Sequence, residues 1–188
     1  MATHVALLRG INVGGHNKVA MADLREITAA LGHTEIVTYI QSGNVVWTSE
    51  ETDAAAMADG LAGAIQDRLG LRPGVVVLSR DELAEVIAAN PYPDEDNPKY
   101  LHAVFRREPW TPQDAERVAA AVTAAGAKGS RDEATVAGRV LYLRTPDGLG
   151  RSELAVQLAK SGGAMAAKAG GTARNWATVT RLLALADG

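Results

Sequence analysis

Cysteine is absent from the 188 residues, and that alone excludes disulfides, thiolate chemistry and cysteine-ligated zinc. The four histidines, His4, His16, His33 and His102, show no HExxH spacing, so scattered structural roles explain them more cheaply than a metal set. Aromatic side chains are scarce, at 4% of the chain with a single phenylalanine. A basic excess is missing too. The formal net charge is -3, which argues against a surface dominated by contacts to a nucleic-acid backbone. No apolar run reaches the length of a membrane span, and Met1 to His4 carries no charged-then-apolar leader. The expectation from these absences is a cytoplasmic protein that uses no membrane, no metal and no cofactor.

What is present is ordinary for a soluble globular chain, with 47% apolar and 22% charged residues. A chain of this length buries a core as one large domain or two small ones. Val5 to Leu8 reads as a buried strand, and Leu24, Ile27 and Leu31 recur at helical spacing before Gly32. Two β-rich runs, Ile36 to Ile40 and Val45 to Thr48, flank Gln41-Ser42-Gly43-Asn44, a hairpin signal. Met57, Leu61, Ile65 and Leu69 form a helical stripe, with Thr52 or Asp53 as cap and Gly70 as stop. Gly74 to Leu78 is a further strand. The order β-α-β-β-α-β over residues 1–79 is the ferredoxin-like split βαβ arrangement.

Ser79-Arg80-Asp81-Glu82 is a capping box that starts a helix with Leu83, Val86 and Ile87 inward. Asn90-Pro91 ends it, and a proline-rich acidic loop follows to Lys99. Residues 80–188 then read as a strand at Leu101 to Phe105 and a helix behind Thr111-Pro112. A hairpin turns at Ala137-Gly138, and helices follow near Glu153 to Lys160 and Asn175 to Ala186. Paired glycines in SGGAMAAKAGG suggest a mobile loop.

Leu7 to Met21, LLRGINVGGHNKVAM, carries the chemistry. Gly10 and Gly15 have the separation of a Walker loop, yet His16 and Asn17 intervene before Lys18 and no hydroxyl residue follows. A GxGxxG dinucleotide turn is absent as well. The ingredients of an anion cradle are nonetheless there. Glycine backbone N–H groups form concavities that attract anions, a helix start follows, and Arg9 and Lys18 bracket the loop with charge. The plainer alternative is that Gly14-Gly15 only permits positive φ in a strand-to-helix turn. Two further polar stretches are Gln41 to Asn44, and Thr172 to Trp176. In the second, Arg174 and Asn175 stand at the expected start of a helix, where a cation opposes the dipole.

The stretches LLRGINVGGHNKVAM, TYIQSGNVVW and TARNWATVTRL are similar to the signature blocks of the bacterial domain-of-unknown-function family numbered 1697. The resemblance implies an α+β chain of two ferredoxin-like subdomains, with antiparallel sheets and helices packed on one face, the second covering 80–188. It implies no established activity. Carried over by position, it highlights Arg9, Gly10, Asn12, Gly14, Gly15, Asn17 and Lys18, then Tyr39, Gln41, Ser42, Gly43 and Asn44, then Arg174, Asn175 and Trp176. Near GRSELA the family pattern often has a lysine where this chain has Glu153, which leaves Arg151 and Ser152 as the contributors there.

Three readings compete. A small phosphate- or carboxylate-bearing ligand is held by Arg9, Lys18 and Arg174, cradled by Gly14-Gly15 and read by Gln41, Ser42 and Asn44. A nucleic-acid module uses Tyr39 and Trp47 on one face of the first hairpin, against the missing RNP1 pattern and the acidic balance. An interaction module dimerises through an exposed apolar sheet face. No Ser-His-Asp order, paired-carboxylate motif or GxSxG elbow appears, so no catalytic residue is assigned.

Overall fold

The computed structural model describes residues 1–160 and 171–188. Residues 161–170, which hold most of the expected mobile loop, lie outside the described residues. In chain order the elements are β1 (Ala2–Arg9), α1 (Met21–Ala30), β2 (Thr34–Tyr39), β3 (Asn44–Ser49), α2 (Ala54–Leu69), β4 (Gly74–Ser79) and α3 (Arg80–Ala88). They continue with β5 (Leu101–Phe105), α4 (Pro112–Gly126), β6 (Glu133–Ala137), β7 (Val140–Arg144), α5 (Glu153–Lys160), β8 (Thr172–Asn175) and α6 (Trp176–Ala186). A short 3₁₀ turn at Leu149–Arg151 precedes α5.

The strands make two antiparallel four-stranded sheets, ordered β2-β3-β1-β4 and β6-β7-β5-β8. Each half thus runs β-α-β-β-α-β-α with the same sheet order, so the fold is two ferredoxin-like subdomains. Against a sequence division at 79/80, the chain separates into Met1–Glu85 with Thr180–Gly188, and Val86–Val179.

In the first unit, α1 and α2 cover one face of the sheet. Leu24, Ile27, Leu61 and Ile65 pack there on Ala6, Leu8, Val45 and Trp47. Local chemistry agrees with each boundary. Asp53 caps α2 by accepting from the N–H groups of Ala55 and Ala56, and Gly70 ends it in the left-handed conformation at φ 71°. The Ser79/Glu82 capping box forms as expected: Ser79 N–H donates to Glu82 Oε2 at 2.8 Å, and Glu82 N–H donates to Ser79 Oγ at 3.1 Å. In the second unit, Val118, Ala121, Leu154 and Leu158 pack on Val104, Leu141 and Leu143.

Two expectations need correction. The segment Thr172–Asn175 is not the start of a helix but the edge strand β8, paired antiparallel with β5 from His102↔Asn175 to Phe105↔Thr172. Four residues hold only two periods of alternation, and Ala and Asn are poor strand formers, so the strong helical pattern after Trp176 masks them. Tyr39 and Trp47 also lie on opposite faces. Tyr39 pairs with Asn44 and Val37 with Val46, which puts Trp47 on the Val45 face. There Trp47 is fully buried and stacks on His33 at 4.9 Å and His4 at 6.4 Å, so core packing explains it and no aromatic platform forms. Val5, Leu7, Val46, Val76 and Leu78 on the first sheet, and Ala103, Phe105 and Tyr142 on the second, are buried. None of the described helices is long and apolar enough to cross a membrane.

Candidate ligand cleft

The β1–α1 connection folds back on itself as a miniature hairpin. Val13 and His16 form an antiparallel bridge, and His16 N–H donates to the Val13 carbonyl at 3.0 Å. Gly14 and Gly15, at φ 58° and 80°, fill the two central positions. Positive φ at both is what a two-residue turn of this hand demands, and it explains the glycine pair without a ligand. Just below the turn, Asn12 N–H donates to the Asn17 carbonyl at 3.0 Å, and Asn17 Nδ2 donates to the Gly10 carbonyl at 2.8 Å. Asn12 and Asn17 both lie at positive φ, 53° and 50°, a region asparagine tolerates better than most residues.

Asn12 is the centre of the arrangement. Its Nδ2 donates to the Val19 carbonyl at 2.9 Å and to the Gln41 carbonyl at 2.8 Å, while its Oδ1 accepts from Val19 N–H at 2.9 Å. One amide therefore closes the base of the glycine loop and ties it to the β2–β3 turn. A second tie runs from Leu8 N–H to the Gly43 carbonyl at 2.8 Å. Gly43 is buried at φ 80°, and a Cβ there would stand 2.5 Å from Ile11 Cδ1 and 2.9 Å from Leu8 Cβ. Asn44 is fully buried, with Nδ2 donating to the Tyr39 carbonyl at 2.8 Å and to Ser42 Oγ at 3.1 Å.

Together the two loops enclose an open cleft of about 510 Å³ lined by Asn12, Gly15, Lys18, Val19, Ala20 and Gln41. Lys18 is exposed and makes no ion pair among the described residues. Ala20 is the N-cap of α1 and offers no side-chain hydrogen bond, so the first-turn N–H groups of that helix keep their positive end at the cleft wall. Alanine is a poor cap, about 1 kcal/mol worse than serine, threonine or asparagine. The corresponding connection of the second unit, from β5 to α4, leads into a capped helix instead. Thr111 and Asp114 form a full capping box there, and Arg106 pairs with Asp114 at 3.0 Å and lies 4.5 Å over the Trp110 ring. Same place in the fold, opposite treatment of charge.

The residues expected at the site thus separate by task. Gly15, Lys18, Gln41 and Asn12 line the cleft. Gly10, Asn17, Gly43 and Asn44 hold the loops that form it, Gly14 stands exposed at the turn, and Ser42 is exposed beside Asn44. Arg9 is not among the lining residues; it lies against Gly74 on β4, where a Cβ would come within 3.2 Å of its Nε. Arg174 and Asn175 belong to the second unit. Arg174 is buried in β8, with Nη1 donating to the Ala173 carbonyl at 2.9 Å, and burial pushes its pKa down to about 10. Asn175 is the N-cap of α6, accepting from Thr178 N–H at 2.8 Å. Ser152 is buried, donates to Asp132 Oδ2 at 2.9 Å and accepts from Ala155 N–H, a helix-starting role. Glu153 pairs with Lys128 at 2.6 Å. No group of three or more His, Asp or Glu able to hold a metal occurs among the described residues.

Sequence reasoning missed Val19 and Ala20 as lining residues, and Ile40 as a strained neighbour at φ 49°. A signal existed for two of them: an alanine where a helix wants a cap, and an isoleucine in a turn.

The family described as "Protein of unknown function (DUF1697)" matches residues 1–142. A solved structure of a conserved bacterial protein from Streptococcus pneumoniae shares 19% identity and superposes with a TM-score of 0.67, covering 98% of each chain. No curated protein matches the chain significantly.

Proposed function

Because the chain belongs to this family of unknown function, we propose a function from the cleft itself: it binds a small phosphate- or carboxylate-bearing molecule. The observation that carries the reading is the Asn12 side chain, which joins two loops 29 residues apart in sequence so that Lys18 and Gln41 line one cleft. Lys18 supplies the positive charge, the uncapped start of α1 adds its dipole, and Gln41 reads neutral polar groups of the ligand. Gly15 keeps the wall open, since nothing lies within 4 Å of where its Cβ would stand. The reading is one of binding, and it assigns no catalytic residue.

The test is a thermal-shift and calorimetry panel of inorganic phosphate, sugar phosphates, nucleotides and small carboxylates against the whole chain and its Lys18→Ala variant. A ligand at a hundred times its Kd stabilises the fold by about 2.7 kcal/mol. A shift seen with the native chain and lost in Lys18→Ala is expected. A shift that Lys18→Ala leaves unchanged, or no shift with any anion, refutes the reading.

A further inference from the structure

We infer that the ligand is an organic anion with an apolar body, an alkyl or aryl phosphate or carboxylate, rather than a bare inorganic ion. This rests on the cleft being an anion site. The lining is only half polar. Asn12, Lys18 and Gln41 offer polar groups, while Gly15, Val19 and Ala20 offer none from their side chains.

Beside that lining the molecule leaves apolar side chains in water. Val13 follows Asn12 and is 67% exposed; Ile40 precedes Gln41 and is 48% exposed. The Asn12–Gln41 hydrogen bond of 2.8 Å brings these two chain positions to the same end of the unit. Val37, 42% exposed on the edge strand β2, is three residues from Ile40. Half of the large exposed hydrophobics among the described residues, three of six, therefore belong to the cleft's two loops and the strand leading into one of them.

Ile40 is the telling residue. Its φ of 49° lies in the left-handed region, where a β-branched side chain is a true outlier and glycine or asparagine is preferred. In the second unit the β6–β7 hairpin turns at Gly138, at φ 55°, with nothing near its Cβ position. The first unit's longer turn, between Tyr39 and Asn44, instead holds a β-branched residue in that conformation, half exposed. Ile40 thus stands strained and half exposed next in the chain to the lining residue Gln41, and strained positions of this kind cluster at ligand clamps. An apolar ligand body laid against Ile40 and Val13 removes that surface from water while its charged end meets Lys18.

The experiment is calorimetry with a homologous series: inorganic phosphate, then ethyl, butyl and hexyl phosphate, with acetate to hexanoate in parallel to separate the two head groups. Affinity is expected to rise about fourfold per buried methylene in the native chain. Ile40→Gly should keep affinity for inorganic phosphate or acetate and flatten the series. Because it relieves the left-handed strain, this variant keeps its fold, which its melting curve verifies. Lys18→Ala should weaken every member alike. A flat series in the native chain, with the head group still bound, overturns the inference and leaves the anion reading standing. A series equally steep in Ile40→Gly also overturns it. No binding by any member, inorganic phosphate and acetate included, overturns both.

Discussion

Gly15 and Gly43 share a φ of 80°, in two loops that meet, and they provide a controlled experiment on why the site is built from glycine. An L-residue in this region loses about 1–2 kcal/mol to its own sterics. At Gly15 a new Cβ meets nothing within 4 Å, so Gly15→Ala should cost about that and no more. At Gly43 the same Cβ would stand 2.5 Å from Ile11 Cδ1 and 2.9 Å from Leu8 Cβ. The first neighbour ends a flexible side chain and can swing away. The second is fixed to β1, whose Leu8 N–H is itself bonded to the Gly43 carbonyl. Overpacking of this kind adds about 1–3 kcal/mol, so Gly43→Ala should cost about 2–5 kcal/mol in all. Urea unfolding separates the two, provided the dependence on denaturant stays parallel. A chain of this size should melt about 2–4 °C lower for each kcal/mol lost. Equal losses at the two positions would refute the argument, because the close contact at Gly43 would then have no energetic weight.

Two further outcomes follow from the same geometry. Asn12→Ala removes three hydrogen bonds of 2.8–2.9 Å, each worth about 0.5–1.5 kcal/mol, and puts alanine at positive φ. A loss of about 2.5–6.5 kcal/mol in urea is expected, with anion binding abolished; Asn12→Asp, which keeps the acceptor for Val19 N–H, should fall between, and a silent Asn12→Ala would count against the staple. Burial also pushes the His4 and His33 imidazoles below the ordinary histidine pKa, on His33 with help from His4, while Glu51 pulls both upward and Glu82 and an Ala2 hydrogen bond act upward on His4 alone. Both take up protons less readily in the fold than in the unfolded chain, so their contribution to stability is complete above the ordinary pKa of about 6.5 and falls as pH drops through it. Melting temperatures from pH 8 to 5 should show the decline, and His4→Leu should flatten it; a curve that rises on acidification would reverse the assignment.

Most of the fold was legible because its pattern is strong where burial is strong. In α2 the stripe of Met57, Leu61 and Ile65, the Asp53 cap and the left-handed Gly70 all say the same thing. The run at Val5 to Leu8 also read correctly as a buried strand, since both faces of the sheet are covered and alternation gives way to a continuous apolar stretch. Where the reading failed, the local signal was short or carried by pairing alone. Strand β8 exists through backbone bonds to β5, and nothing in Thr-Ala-Arg-Asn announces them. Without that strand the second half reads as strand, helix, two strands, helix, a copy of the first by element order that lacks its last strand, and the family resemblance completes it. The sequence leaves Tyr39 and Trp47 free to share a face, with core packing the cheaper account of both, because a face is a matter of register, and register belongs to the pair of strands rather than to either one.

The site was harder to read for a different reason. Asparagine and glycine are favoured both where a loop must clamp itself and where it must present groups to a ligand, so composition alone cannot separate the two. Asn12, Asn17 and Asn44 have their amides occupied by backbone carbonyls, and Gly43 is there for want of space. The polar richness that drew attention to the two loops is thus mostly the chemistry of holding them. What distinguishes a place for a ligand is a residue that local structure would not choose. Ala20 leaves a helix start uncapped, Lys18 has no partner among the described residues, and Ile40 holds a left-handed conformation in solvent. In the second unit the matching helix start is capped by Thr111, Arg106 is paired with Asp114, and the left-handed residue of the β6–β7 turn is a glycine, Gly138. On the proposed reading the first of two copies of one architecture is the one that binds, and its departures from local preference, rather than any motif, are what point to the cleft.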